Sequence, residues 1–315
     1  MEFSHVPVML GECIDNLSIK PGGVYLDGTL GGGGHSAAIL QNLGPGGRLI
    51  GIDRDPEAIQ AACARIDDGR FTPVRGNFHD AADILASLGV SGIDGALLDL
   101  GVSSRQLDEA SRGFSYHVDA PLDMRMDTSG ELTAADIVNE WPEREIARIL
   151  YEYGEERWAA RIAAMICERR ERGRVSTTGE LVGIIDAAIP RAVRSKDGSH
   201  PARRTFQALR IAVNDELEPL KKALEDIATA LNPGGRLAVI AFHSLEDRIV
   251  KQTFRALSDP CECPRDIPVC VCGKKPVVKL VTRKPLKPSD AELKANPRSR
   301  SATMRVCERL RGGNI

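Results

Sequence analysis

A glycine-rich loop constrains the fold of this chain more than any other feature of its sequence. The apolar run 24–27 ends in Asp27, five glycines follow within residues 28–34, and a second apolar stretch begins at Ala37. Glycine permits positive φ and lets the backbone approach a ligand, so this pattern predicts a buried strand, a tight turn and a helix N-terminus. We therefore expect a nucleotide-like ligand at this loop.

The spacing of these glycines differs from the dinucleotide-binding fingerprint. Gly31 and Gly33 match its first two glycines, but Ser36 stands where the third Gly or Ala is required. A pyrophosphate is therefore not the expected ligand. The alternative enzyme class, an NAD-dependent oxidoreductase, is disfavoured by this imperfect fingerprint. A thermal-shift panel of cofactors would distinguish the two classes.

Strand-like and helix-like segments alternate four times in the first hundred residues, after a short lead-in helix at 9–17. The run 93–100 is nearly all apolar, as expected of a strand buried on both faces. Such alternation predicts a parallel sheet with helices on both sides. The other predicted elements are strands 24–27, 48–53 and 71–75, and helices 56–66 and 81–88.

The alternation then stops. Residues 101–126 have no clear period, and residues 133–231 are almost wholly helical in pattern. Strand patterns return at 235–242, 277–282 and 301–309, with a helix at 246–257. We predict an α/β domain of residues 1–127 and 232–315, interrupted by a helical domain at 128–231.

The net charge of −2 conceals an uneven distribution. Residues 157–210 carry a net +7 and residues 261–315 a net +8, which leaves −17 on the rest. Two basic segments on an acidic body predict a polyanionic partner bound at a defined place. Arginine-rich helices that merely solvate their outer faces are the alternative.

The sequence has no secretory pattern at its N-terminus and no apolar run of about 18 residues. We therefore expect a cytoplasmic protein that does not insert into membranes. In that compartment, the eight cysteines are expected to be thiols or metal ligands.

Polar residues follow several predicted strands at the same edge of the sheet. Asp53 ends the second strand about 20 residues beyond the loop, where an acidic residue binds ribose hydroxyls in nucleotide-binding folds. Asn77 and Phe78 follow the third strand, and Asp99 lies at the end of the fourth. A lone Asp at a strand end is more often a turn former. Together with the end of the first strand, where the glycine loop begins, four strand ends meet at this edge, and their convergence predicts a pocket.

Eight segments of the chain resemble the bacterial 16S ribosomal RNA cytosine-N4 methyltransferases (the RsmH or MraW family). They are DGTLGGGGHS (27–36), IDRDP (52–56), DLGVSSRQLD (99–108), PLDMRMD (121–127), YGEERW (153–158), RTFQALRIAVN (204–214), FHSLEDR (242–248) and NPRSRSA (296–302). The resemblance implies a class I methyltransferase fold with a mostly parallel seven-stranded sheet and a helical substrate-recognition insert. It also implies S-adenosyl-L-methionine (SAM) as cofactor, and a decoding-centre cytosine of 16S ribosomal RNA, within the small ribosomal subunit, as substrate.

By matching motif position, the resemblance implies seven SAM contacts: Gly33, Gly34, His35, Asp53, Phe78, Asp99 and Gln106. The residue types agree with this, since Asp53 would bind the ribose and Phe78 would lie beside the adenine. Three members have ordinary alternatives: His35 as a helix cap, Phe78 as a core residue and Gln106 as an exposed loop residue.

Asp99 is the candidate catalytic residue. A cytosine amino group is a weak nucleophile, so an acceptor that hydrogen-bonds it and receives its proton would help the transfer. Many amino-methyltransferases place an Asp/Asn-Pro-Pro-aromatic motif here, whereas this chain has Asp99-Leu-Gly-Val. The usual arrangement is therefore absent, and Asp99 is the one acceptor that the motif offers.

Four cysteines lie within twelve residues, as Cys261-x-Cys263 and Cys270-x-Cys272. Four thiols could hold a tetrahedral zinc ion, but the pairs are closer than the usual C-x₂₋₄-C spacing. Free thiols in a surface loop are the alternative, and we assign no metal to the site. The third function class, an RNA-binding module with a vestigial pocket, is disfavoured by the intact Gly33, Gly34, Asp53 and Asp99.

Overall fold

The computed structural model describes residues 7–191, 200–264, 269 and 271–311. The chain divides into two compact units. The first comprises Met1–Gly101 and Leu217–Ile315, and the second is Val102–Glu216.

The described part of the first unit contains a seven-stranded sheet. Its strands are β1 Val24–Asp27, β2 Arg48–Asp53, β3 Phe71–Arg75, β4 Ile93–Asp99, β5 Leu231–Ala241, β6 Val278–Leu280 and β7 Thr303–Arg309. They are ordered β3-β2-β1-β4-β5-β7-β6; β1 to β5 pair in parallel, and β7 is antiparallel to both of its neighbours, β5 and β6. This is the strand arrangement of class I SAM-dependent methyltransferases, so the predicted fold class is confirmed.

Thirteen α-helices accompany the strands in the described residues. They are α1 Leu10–Leu17, α2 Gly34–Asn42, α3 Pro56–Arg65, α4 Ala81–Ser87, α5 Ser104–Asp108, α6 Ala134–Glu140, α7 Glu143–Glu152, α8 Ala159–Arg170, α9 Thr178–Ala188, α10 Arg203–Asn214, α11 Leu220–Ala230, α12 Ser244–Ser258 and α13 Asp290–Ala295. None of these helices has the length and apolar character needed to cross a bilayer.

Helices cover both faces of the sheet, as the alternating pattern predicts. One apolar core contains residues of α11 and α12 packed on the sheet, and a second contains residues of α1 and α2. The central strand β4 has its five inner positions mostly buried, which explains its continuous apolar sequence. The sheet therefore lies between two apolar cores.

The second unit has its own apolar core, formed mainly by α6–α10. It begins earlier than the predicted boundary at residue 128 because Phe114, Leu122, Met124 and Met126 pack into that core. Their segment lacks periodicity, so the sequence did not indicate this. It also contains the short helix α5, in the stretch 101–126 whose sequence has no clear period.

The second unit also ends earlier than predicted. The helical pattern that runs to residue 231 is two helices, α10 and α11, interrupted at Asp215, whose φ is 47°. Leu220, Leu224 and Ile227 of α11 belong to the core of the first unit. A helical pattern shows that a segment is amphipathic, but it does not show which core its apolar face joins.

Candidate functional site

Three carboxylates lie at the carboxyl edge of three neighbouring strands. Asp27, Asp53 and Asp99 are the last residues of β1, β2 and β4, and β1 pairs with both of the other two strands. The first apolar run, the glycine loop and α2 follow one another at this edge, as predicted. Because the strands are parallel, these side chains surround the glycine loop.

Asp53 holds the glycine loop through its carboxylate. One oxygen accepts the backbone N–H of Gly31 at 2.8 Å, and the other accepts the N–H of Asp55 at 2.9 Å. Burial raises the pKa of Asp53, and these two N–H groups partly offset the effect. A carboxylate can accept about four hydrogen bonds, so capacity remains for the hydroxyls of a ligand.

Asp27 is a second anchor, which the sequence interpretation did not include among the site residues. It is fully buried, and its carboxylate accepts the Ser36 hydroxyl at 2.7 Å and the Thr29 N–H at 3.2 Å. Burial raises its pKa, against the opposing effects of His35, Ser36 and Thr29. The sequence signal that could have identified Asp27 is its position as an acidic residue directly after a buried apolar run.

Asp99 has an unusual environment for a carboxylate. Its Oδ1 is buried and has no hydrogen-bond partner among the residues that the structure describes. Its Oδ2 lies 3.7 Å from His35 Nδ1, which is longer than a hydrogen bond. Burial raises the pKa of Asp99 to about 6; His35 opposes this shift, and Asp27 and Glu246 add to it.

His35 is positioned by a backbone carbonyl. Its buried ring places Nε2 2.9 Å from the Val8 oxygen, and a carbonyl only accepts, so Nε2 carries the proton. The ring therefore connects the segment before α1 to the site and directs Nδ1 towards Asp99. Neither nitrogen has the helix-capping role that the sequence left open.

Gly33 and Gly34 are enclosed by protein atoms. A Cβ at Gly33 would lie 3.0 Å from Ile66 Cδ1, and one at Gly34 would lie 2.4 Å from Pro7 Cγ. Gly33 also has φ 75°, a conformation that L side chains rarely adopt. By contrast, a Cβ at Gly32 would meet nothing within 4 Å. The open face of the loop is therefore at Gly32.

We expect Gly33→Ala to lower the free energy of unfolding by about 1–3 kcal/mol, because it combines positive φ with contact against α3. Gly32→Ala is the matched control, and its effect is expected to stay within about 0.5 kcal/mol. Urea denaturation of both variants measures the difference. Equal stabilities would contradict the packing role of Gly33.

Phe78 and Gln106 lie in different units. Phe78 is half-buried against the core of the first unit, and its Cβ lies 3.0 Å from where a Gly28 Cβ would be. Gln106 is buried in the second unit, where its side chain accepts the Ser103 N–H at 2.9 Å in a helix capping box. The structure thus gives Gln106 a local role and removes the exposed-loop alternative.

Three of the clustered cysteines are described by the structure. The sulfur atoms of Cys261, Cys263 and Cys272 all lie within 4.8 Å of one another. Cys270, the fourth member of the predicted cluster, lies outside the described residues.

The chain is similar to known proteins along almost its whole length. Residues 2–310 match the model of the MraW methylase family. Ribosomal RNA small subunit methyltransferase H of Symbiobacterium thermophilum is 59% identical over 315 residues, which cover 99% of both chains. The protein of the same name from Heliobacterium modesticaldum is 58% identical over 314 residues, covering 99% of this chain and all of that one.

Proposed function

Since the chain belongs to the MraW methylase family, we propose that it is a SAM-dependent methyltransferase acting on small-subunit ribosomal RNA. The specific reaction that we propose is methylation of N4 of a decoding-centre cytosine in 16S ribosomal RNA. The place of action is then the cytoplasm, on RNA of the small ribosomal subunit. Relatives named for small-subunit ribosomal RNA match 99% of this chain at 58% and 59% identity, which supports the substrate class.

The observation that carries the proposal is the acidic edge around the glycine loop. SAM has a sulfonium, an ammonium and two ribose hydroxyls, which suit carboxylates as partners. Asp53 would accept the ribose hydroxyls, and the open backbone at Gly32 would permit close approach. The buried Oδ1 of Asp99, unpaired among the described residues, matches a site for an N–H donor.

When bound, SAM supplies an activated methyl group on its sulfonium. The residues of the chain need only position the acceptor and accept a proton. Asp99 can accept a hydrogen bond from the cytosine amine and then its proton, because its pKa of about 6 leaves it mostly ionised at neutral pH. A positive charge on His35, whose Nδ1 lies 3.7 Å from Asp99 Oδ2, would favour that ionised form further.

Mass spectrometry of ribosomal RNA from a strain lacking this protein tests the proposal. We expect one cytosine to lose an N4-methyl group, and we expect the wild-type gene to restore it. A gene carrying Asp53→Ala should restore it poorly. Unchanged RNA in the deletion strain, or loss of a methyl group from another atom, would refute the proposed reaction.

Several arginines of the helical unit bind other residues of the same unit. Arg169, Arg172, Arg174 and Arg210 form ion pairs with Glu180, Glu168, Asp136 and Glu216, respectively. Arg170 donates to the carbonyl oxygens of Val138 and Trp141. These arginines stabilise the unit, so they are weaker candidates for contact with RNA.

A smaller exposed group is better suited to phosphate. Arg157, Arg203 and Arg204 are exposed, and the Arg204 guanidinium donates to the backbone carbonyl oxygen of Glu155 at 3.4 Å. The start of α10 therefore lies against the turn that carries Arg157. Tyr151, 70% exposed at the end of α7, adds a ring on which a base could stack. We propose these four residues as an RNA-binding surface of the helical unit.

The C-terminal segment carries a second set of exposed cations, namely Arg283, Lys284, Lys287, Lys294, Arg298 and Arg300. We propose that it also contacts RNA phosphates. Some of its charge is neutralised within the protein, since Lys279 pairs with Glu308 and Arg305 with Asp247.

Reversing Arg203 and Arg204 to Glu should weaken the salt dependence of RNA binding. Each lost phosphate contact lowers the slope of log K against log[salt] by about 0.7–0.9, so the double variant should lose about 1.4–1.8. Filter binding of small-subunit ribosomal RNA at several salt concentrations measures the slope, and calorimetry should show unchanged SAM affinity.

The matched control reverses two exposed lysines on α11, Lys221 and Lys222, to Glu. This changes the net charge equally at a surface that we do not assign to RNA. If the two double variants lose equal slope, only overall charge matters and the proposed surface is wrong.

A further inference from the structure

A cluster of three thiols lies in the segment between α12 and β6. Cys261, Cys263 and Cys272 place their sulfur atoms within 4.8 Å of one another, and the Cys261 and Cys272 sulfurs are 4.0 Å apart. Cys261 and Cys272 are 11 residues apart in the sequence, so their approach is set by the fold of the chain and not by sequence adjacency. The cluster has no part in the proposed methyl transfer.

The separations match those required by a tetrahedral metal ion. Zinc–sulfur bonds are about 2.3 Å long, which places two thiolates of one tetrahedron about 3.8 Å apart. The Val271 N–H points at Cys263 Sγ at 3.4 Å, and such backbone donors commonly support metal-bound sulfur. Three soft ligands with this spacing favour zinc among the common divalent ions.

We propose that Cys261, Cys263 and Cys272 bind a structural zinc ion as thiolates. On binding, each thiol gives up its proton to solvent, a sulfur–zinc bond forms, and no redox change occurs. A tetrahedral ion takes one more ligand than these three supply. Because the described C-x-C pair and Cys272 converge despite the short spacing, the structure favours zinc over the free-thiol alternative.

Zinc would give this segment a cross-link. Within 259–277, the described residues include no helix or strand, and Val269 and Val271 are 69% and 75% exposed. Such a segment has little apolar surface to bury, so a metal cross-link can replace a core. The ion would hold Lys274 and Lys275 in a defined position.

The first test is metal content, measured by mass spectrometry on the full-length protein purified without chelators. We expect about one zinc per chain, and a cobalt-substituted sample should show the charge-transfer absorption of thiolate ligands. Cys261→Ser, Cys263→Ser and Cys272→Ser should each lower zinc retention at least tenfold against a competing chelator. Cys63→Ser, which replaces an exposed cysteine of α3, is the matched control and should retain zinc.

The second test is proteolysis. Removal of zinc should accelerate trypsin cleavage after Lys274, while cleavage after Lys275 is blocked by Pro276. Absence of zinc together with no thiolate absorption from cobalt would overturn the proposal. So would a mass 2 Da lower than that of the free thiols, since it would show a disulfide. These outcomes are independent of ribosomal RNA methylation, so they do not depend on the proposed function.

Discussion

Asp99→Asn is expected to lower kcat by about 100-fold at saturating SAM, and to weaken SAM binding as well. The substitution keeps the shape of the side chain but removes its ability to accept a proton, and a positioned proton acceptor contributes 10²–10⁴-fold. Steady-state kinetics with small-subunit ribosomal RNA measures both effects. A residue that only binds cofactor would raise KM for SAM and leave kcat unchanged.

The pH profile gives an independent test of Asp99. Because burial raises its pKa to about 6, wild-type kcat should fall as pH drops through 6. The Asn variant should lack this acidic limb. A variant with normal kcat at saturating SAM would remove Asp99 from the chemistry and leave positioning as the explanation of catalysis.

Stability measurements show whether a lower kcat in Asp99→Asn arises from unfolding. A carboxyl whose folded pKa is raised binds more protons when folded. It therefore destabilises the fold increasingly as the pH rises from about 4 to 6, and this destabilisation stays constant above pH 6. The shift from 3.8 to about 6 corresponds to about 3 kcal/mol at most. Asp99→Asn should therefore be at least as stable as wild type at pH 7, and the advantage should vanish below about pH 4.

Asp53→Ala is expected to weaken SAM binding by about 10- to 150-fold, equivalent to about 1.5–3 kcal/mol. The carboxylate would lose its bonds to the ribose hydroxyls. It would also release the Gly31 N–H, which it accepts at 2.8 Å, so the loop itself would be less well positioned. Isothermal titration calorimetry measures the affinity.

Asp94→Asn is the matched control for Asp53→Ala. Asp94 lies near the opposite end of β4, where it accepts the Val24 N–H and pairs with Lys20. Its loss should leave SAM affinity unchanged, although it removes a carboxylate from the same sheet. Wild-type affinity in Asp53→Ala would exclude Asp53 as a cofactor ligand.

The order of strands and helices followed from local sequence patterns. The predicted strands 24–27, 48–53 and 71–75 have the observed bounds, and the strand predicted at 93–100 ends one residue earlier. Apolar runs bounded by turn residues are local signals. They are therefore sufficient to place Asp53 and Asp99 at one edge of the sheet.

The extent of the helical unit did not follow from such patterns. Met124 and Met126 join its core from a segment without periodicity, and α11 leaves it for the core of the sheet. Which apolar face packs on which core depends on the whole chain, so a local pattern cannot show it.

The sequence by itself determined the fold class, the family and the placement of Asp53 and Asp99 at the edge of the glycine loop, because each depends on local periodicity or on motif identity. Only the tertiary structure decided what the individual site residues touch. It packed Gly33 against α3, bonded His35 to Val8 across 27 residues, and left Asp99 Oδ1 without a partner among the described residues. These contacts join residues far apart in the chain, and packing of the complete fold sets their distances.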